Sequence, residues 1–167
     1  MTKVDLLDAL AEFTQAATKD LIMPVRIQKE GEEQTYRAAQ VFKTRLPDSK
    51  AAQKKAPYIL HQVVTSKDQQ PSGDEVESFT TVRSIFCVYC DDEQEGGLML
   101  LNLMERVRIS LLKEIVIGKQ FELDLDPGGA GIECLVYPDD TAPYFLGEMA
   151  TTWKMPKIKR EVPQIWQ

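Results

Sequence analysis

Few side chains in this chain are of the types that run reactions, and their spacing decides what each can do. Cys87-Val-Tyr-Cys90 carries the C-x-x-C spacing of redox motifs and zinc knuckles. Both uses need the two sulfurs to converge, in a turn or at a helix start. The flanking residues read as strand, where positions three apart point to opposite faces, so two core cysteines are the better reading. His61 is the one histidine, and any Ser-His-Asp, Cys-His or histidine-metal chemistry must use it. It stands between Leu60 and Gln62 in a β-rich run with no serine or cysteine elbow nearby, which reads as a half-exposed strand histidine. A small hydrolase using His61 and an aspartate is the enzymatic alternative.

The acids and glycines give no stronger signal. Asp124-Leu-Asp126 and Asp139-Asp140 offer oxygen ligands of the kind a hard cation takes, but neither follows the calcium-loop pattern with its later glutamate. Asp before Pro-Gly-Gly is also what a turn requires. Gly128-Gly-Ala-Gly131 precedes a strand, whereas a phosphate cradle relies on a following helix N-terminus. No catalytic residue, cofactor or metal is therefore expected, and the surface is left to carry the function.

The elements that position these residues are legible from periodicity. Val4, Leu7, Leu10, Ala11, Phe13 or Thr14, Ala17 and Leu21 recur at helical spacing, with Thr2 as N-cap and Pro24 as the stop. Residues 34–42 hint at strand, and residues 46–56 read as a basic connection. Residues 57–65 are β-rich, and residues 66–77 gather Asp, Gln, Pro, Ser, Gly and Glu into a long solvated loop. Residues 78–90 form the strongest strand, apolar on both faces in its second half, as a strand covered on both sides must be. A long helix over residues 98–115 follows, its buried stripe being Leu100, Leu103, Met104, Val107, Leu111 and Ile115. Residues 119–125, 132–137 and 144–155 read as three more strands, joined by short links that favour antiparallel neighbours. The expected fold is α+β: a mixed, mostly antiparallel sheet with an N-terminal helix and one long helix packed on it. Residues 1–160 read as a single domain and residues 161–167 as a C-terminal tail, in which Ile165 and Trp166 can anchor on the same chain or on a neighbour.

Composition narrows the setting. The 167 residues are 43% hydrophobic and 28% charged, ordinary for a globular chain that folds without metal or disulfide. A net charge of −6 argues against broad nucleic-acid binding, which needs excess lysine and arginine. Met1-Thr-Lys-Val-Asp-Leu-Leu-Asp8 reads against a signal peptide, and no apolar run approaches the ~20 residues of a membrane span. Three cysteines fit a reducing compartment, so a cytoplasmic site of synthesis is expected.

Several phrases stand together in a telling order: Leu46-Pro-Asp48, Ala56-Pro-Tyr-Ile-Leu60, the loop through Asp74, Phe79-Thr-Thr-Val-Arg-Ser-Ile-Phe86 and Tyr89-Cys-Asp-Asp92. Gly96-Gly97 follows, then Asn102-Leu-Met-Glu-Arg-Val-Arg108 and the closing Gly147-Glu-Met-Ala-Thr-Thr-Trp153 with Pro156 behind it. In these phrases, over about two thirds of its length, the chain resembles the tail terminator (tail-completion, neck) proteins of tailed bacteriophages and prophages. The resemblance implies a non-enzymatic virion protein, a hexameric ring of identical subunits that caps the tail tube and stops its elongation. Its partners would be its own copies, the tail-tube protein and a head-completion or connector protein. DNA would pass through the lumen without specific binding, and no membrane would be involved. A head-closure protein of the same particle is the near alternative, and a module binding a peptide along a strand edge is a more distant one.

A ring needs two different, complementary surfaces on each subunit. Uneven charge is expected to supply them, with basic residues Lys50, Lys54 and Lys55 and Lys157, Lys159 and Arg160 set against acidic Asp68, Asp74, Glu75 and Glu77. Pairing of these groups across subunits is expected to weaken with salt.

Overall fold

The computed structural model describes residues 1–47, 55–71, 75–138 and 141–159. Its elements run α1 (Lys3–Thr18), β1 (Met23–Val25), β2 (Thr35–Arg37), β3 (Gln40–Lys43), β4 (Tyr58–Gln69) and β5 (Glu75–Tyr89). Then come α2 (Glu93–Glu114), β6 (Val116–Ile117), β7 (Phe121–Leu123), β8 (Ile132–Val136), β9 (Tyr144–Lys154) and β10 (Ile158–Lys159). The main sheet has the order β3-β4-β5-β9-β7-β6, with β8 also beside β9 and β10 beside β5. Among the described residues, only the β3–β4 pair is parallel. The fold is thus α+β with a mixed, mostly antiparallel sheet.

Strand β5 sits at the centre, and its alternation explains the layers. Thr80, Val82, Ser84, Phe86 and Val88 are buried toward the helices. Phe86 and Val88 join Ile59, Met149, Trp153 and the inner stripes of both helices in the main core. On the opposite face Arg83 is exposed, but Cys87 and Tyr89 are buried in a second cluster with Tyr58, Leu60, Tyr144, Leu46 and Ala56. The doubly apolar second half of β5 is therefore covered on both sides.

Both helices depart from their sequence reading at their ends. Thr2 caps α1 in a reciprocal capping box with Asp5. Val4 is 64% exposed, and Leu6 takes its place in the buried stripe beside Leu7 and Leu10. The helix ends at Thr18, well before Pro24; Thr18 turns its hydroxyl back onto the Thr14 carbonyl. Helix α2 begins at Glu93 rather than near residue 98, because the Asp92 carboxylate accepts from the backbone N–H of Gln94 and Glu95. Gly96 and Gly97 therefore lie inside the helix. Ile115 falls just past its end, at a positive φ of 59° and partly exposed, so it drops out of the expected buried stripe.

The polar stretch 66–77, expected as a loop, is mostly ladder. Strand β4 runs on to Gln69 and β5 starts at Glu75, with Lys67 opposite Phe79 and Asp68 opposite Ser78. Polar side chains mark a strand pair that outruns the core, since β9 pairs with β5 only from Phe79 onward. Residues 34–42, only hinted at as strand, split into β2 and β3.

Gly96 and its neighbour Gly97 make opposite demands. A Cβ at Gly96 would sit 2.1 Å from the Phe145 ring, whereas one at Gly97 has nothing within 4 Å. Gly96→Ala is expected to cost about 1–3 kcal/mol through overpacking. Gly97→Ala is expected to stabilise by about 0.5–1 kcal/mol, the ordinary gain of alanine over glycine in a helix. Urea titrations of the two variants check the sign as well as the size.

Candidate functional site

His61 is not half-exposed; its exposure is 0%. It faces α1 from β4, where Nε2 lies 2.9 Å from the Thr14 hydroxyl and Nδ1 lies 2.8 Å from the Ser84 hydroxyl. The Thr14 hydroxyl already donates to the Leu10 carbonyl, so it accepts from Nε2–H. Nδ1 is then unprotonated and accepts from Ser84. The imidazole is held neutral and ties the helix layer to β4 and β5. Burial depresses its pKa to about 3. A serine does stand beside the histidine, as a hydrolase requires, but the pair is sealed inside the packing between α1 and the sheet.

The other sequence candidates separate in the same way. Cys87 is buried in β5 with its thiol pushed up to about 12 by burial, and Cys90 lies just beyond the strand. Both are free thiols, as is the exposed Cys134 on β8. Asp124 and Asp126 surround an ammonium: Lys154 Nζ lies 2.9 Å from Asp126, 3.6 Å from Asp124 and 3.5 Å from Glu122. The Lys154 hydrogen bond holds the Asp126 carboxyl below its usual range. Among the described residues, no group of three or more His, Cys, Asp or Glu is placed to hold a metal ion. Asp139 and Asp140 lie outside the described residues. Asp126-Pro-Gly-Gly129 makes the expected turn, closed by Gly129 N–H donating to the Asp126 carbonyl.

Of the residues expected to mediate contacts, the structure gathers one group on the far end of the β4–β5 hairpin. The Ser78 hydroxyl donates to Asp68 at 2.6 Å across the ladder. Lys157 pairs with Glu75, and the backbone of Lys159 stands opposite that of Glu75 in the β10–β5 register. Glu77 lines a groove there with Asp126, Lys154 and Lys157. The Lys157–Glu75 pair expected between subunits is thus formed within one. Lys55 is elsewhere, its carbonyl accepting from Arg37 at 2.6 Å. Lys50, Lys54, Asp74, Arg160, Ile165 and Trp166 lie outside the described residues.

Two apolar surfaces go beyond the sequence expectations. Along α2, Leu98, Leu101, Ile109 and Leu112 are exposed on the face turned away from the sheet. Beside β9, strand β8 exposes Leu135 and Val136 and, among the described residues, pairs on one side only. The signal for the first was present: α2 has leucine and isoleucine at helical spacing outside the stripe that its own sheet can bury. The second was hidden, because edge and interior strands read alike in sequence. Among the described residues, no helix is long and apolar enough to cross a membrane.

Two charge arrangements give measurable consequences. A histidine that folds neutral and unfolds with an ordinary pKa of 6.5 stabilises fully above that value and loses the contribution as pH falls toward 3. Between pH 6.5 and 5 the loss is expected to be roughly 2 kcal/mol, and His61→Gln should remove most of that slope in denaturation curves. The Lys154 cluster works in the same direction at lower pH, since its lowered carboxylate stabilises above the ordinary aspartate range and loses that contribution as pH falls. Lys154→Met is expected to lower the melting temperature at neutral pH. The gap to the unaltered protein should narrow once pH falls below 3.8, the ordinary aspartate value.

Compared with known proteins, the chain matches no protein-family model and no curated protein.

Proposed function

We propose that this chain is a structural virion protein, a tail terminator whose identical copies form a ring on the end of a phage tail tube. The ring stops tube growth and offers the surface to which the head joins. The observation that carries this reading is the open edge of β8. Among the described residues this strand pairs only with β9, off the path that runs from β3 to β6, and it exposes Leu135 and Val136, while β3 forms the opposite end of the sheet. An unpaired strand edge bearing apolar side chains is a template for another chain. Two unlike sheet ends on one subunit are what a head-to-tail, closing contact uses. The resemblance in residues 102–108 and 147–153 supplies the particle and the partner.

The buried state of His61 supports the same reading over a hydrolase, because its chemistry is spent on joining α1 to the sheet. Charge contributes less to the contact than the sequence implies. Lys157 and Lys154 are engaged with acids of their own subunit, so most of the docking falls to the apolar strand edge.

The test is assembly on tubes polymerised from the cognate tail-tube protein. Negative-stain images are expected to show a ring on tube ends, with tube length fixed at the moment the protein is added. Replacing Leu135 by lysine, on the exposed side of β8, should abolish capping while leaving the thermal melt in place. Tubes that continue to lengthen at the same rate in the presence of the unaltered, folded protein contradict the proposal.

A further inference from the structure

The outer face of α2 is ordered symmetrically. Leu98, Leu101, Ile109 and Leu112 are between 37% and 55% exposed, and the Glu105–Arg108 ion pair lies among them. Counted from Glu105, Leu101 and Ile109 stand four residues away on either side, and Leu98 and Leu112 seven. At 3.6 residues per turn these five positions fall within ~40° of one line along the helix. Read from either end, the stripe is the same. Laid antiparallel on a second α2, Leu98 meets Leu112 and Leu101 meets Ile109 at both ends of the contact.

The centre is balanced as well. Arg108 holds its own Glu105 through two bonds of 2.8 Å, so a paired face brings together two carboxylates and two guanidiniums. That group is neutral, and each arginine flanks both glutamates one turn from the axis. The buried positions Leu100, Leu103, Val107 and Leu111 lie on the opposite side of the helix, so the stripe looks straight out from the sheet. Arg106, bonded to Asp20 beyond the end of α1, marks one border of this face.

We infer that a second copy of this chain covers this face, α2 against α2 in antiparallel register about a two-fold axis through Glu105. The contact differs in symmetry from that of the ring. An isologous pair closes with two copies and cannot propagate round a circle, so it joins two free subunits or two rings face to face. One helix face is smaller than the ~800 Å² per partner of a standard interface, so the pairing belongs to micromolar protein concentrations.

Site-directed cross-linking tests the register in chains carrying Cys90→Ser and Cys134→Ser. With Glu105→Cys added, oxidation is expected to give a covalent dimer, because the two sulfurs meet at the axis. Leu98→Cys alone should not cross-link, its twin lying ~21 Å further along the pair. Mixing Leu98→Cys chains with Leu112→Cys chains should restore the dimer. In parallel, native mass at micromolar concentration is expected to be twice as large for the unaltered protein as for Leu101→Glu, whether the unit is one subunit or one ring. Equal masses for those two proteins, or a Leu98→Cys dimer forming as readily as the Glu105→Cys one, overturn the inference.

Discussion

Helix α2 lies against β5 and β9 at a separation set by two absent side chains, and the rest of the molecule is arranged around that contact. Gly96 admits the Phe145 ring of β9, and Gly147 admits the Met104 sulfur, which would lie 2.7 Å from any Cβ built there. Each glycine sits on one partner and receives a bulky residue of the other, so the interlock works in both directions. Beneath it Trp153 and Phe86 are fully buried, and Trp153 Nε1 donates to the Thr151 hydroxyl. A helix held this close buries one stripe completely and leaves the opposite one entirely outside. The exposed leucines of α2 are thus a consequence of how the core is packed.

Polar groups serve the same end. His61 spends both ring nitrogens on Thr14 and Ser84, which fixes where α1 sits over β4 and β5. Lys154 gathers Glu122, Asp124 and Asp126 at the point where β7 meets β9. Lys157 fastens β10 to the start of β5. Groups that resemble reactive machinery in a bare sequence here act as fasteners between elements. Among the described residues, α2 and β8 leave apolar side chains exposed to other molecules.

Much of this was legible in the residues, for reasons specific to each. The two-faced apolar run Ile85-Phe-Cys-Val-Tyr89 announces a strand covered on both sides, and the second cluster around Tyr58 and Tyr144 is that cover. Thr2 with Asp5 declares the start of α1. The start of α2 was obscured because Gly96-Gly97 looks like a break; only the Phe145 ring, distant in sequence, explains why a glycine belongs inside the helix. Residues 66–77 misled because a hairpin projecting beyond the core has polar residues on both faces, as a loop does. The exposure of His61 was misjudged because its neighbours reveal nothing of Thr14, which is brought in by a different element. Candidate contacts assigned by charge alone fared least well at Glu75 and Lys157, since sequence cannot tell a partner in the same chain from one in a neighbour.

The central claim is that β8 is where identical copies dock. Hydrogen–deuterium exchange on the free protein and on the protein bound to tail tubes reads it directly, because the outer amides of an edge strand exchange with solvent until another chain covers them. The amides of residues 132–136 are expected to become protected on assembly, with those of the already buried β5 unchanged. Bound protein whose β8 exchanges as fast as in the free subunit would contradict the account.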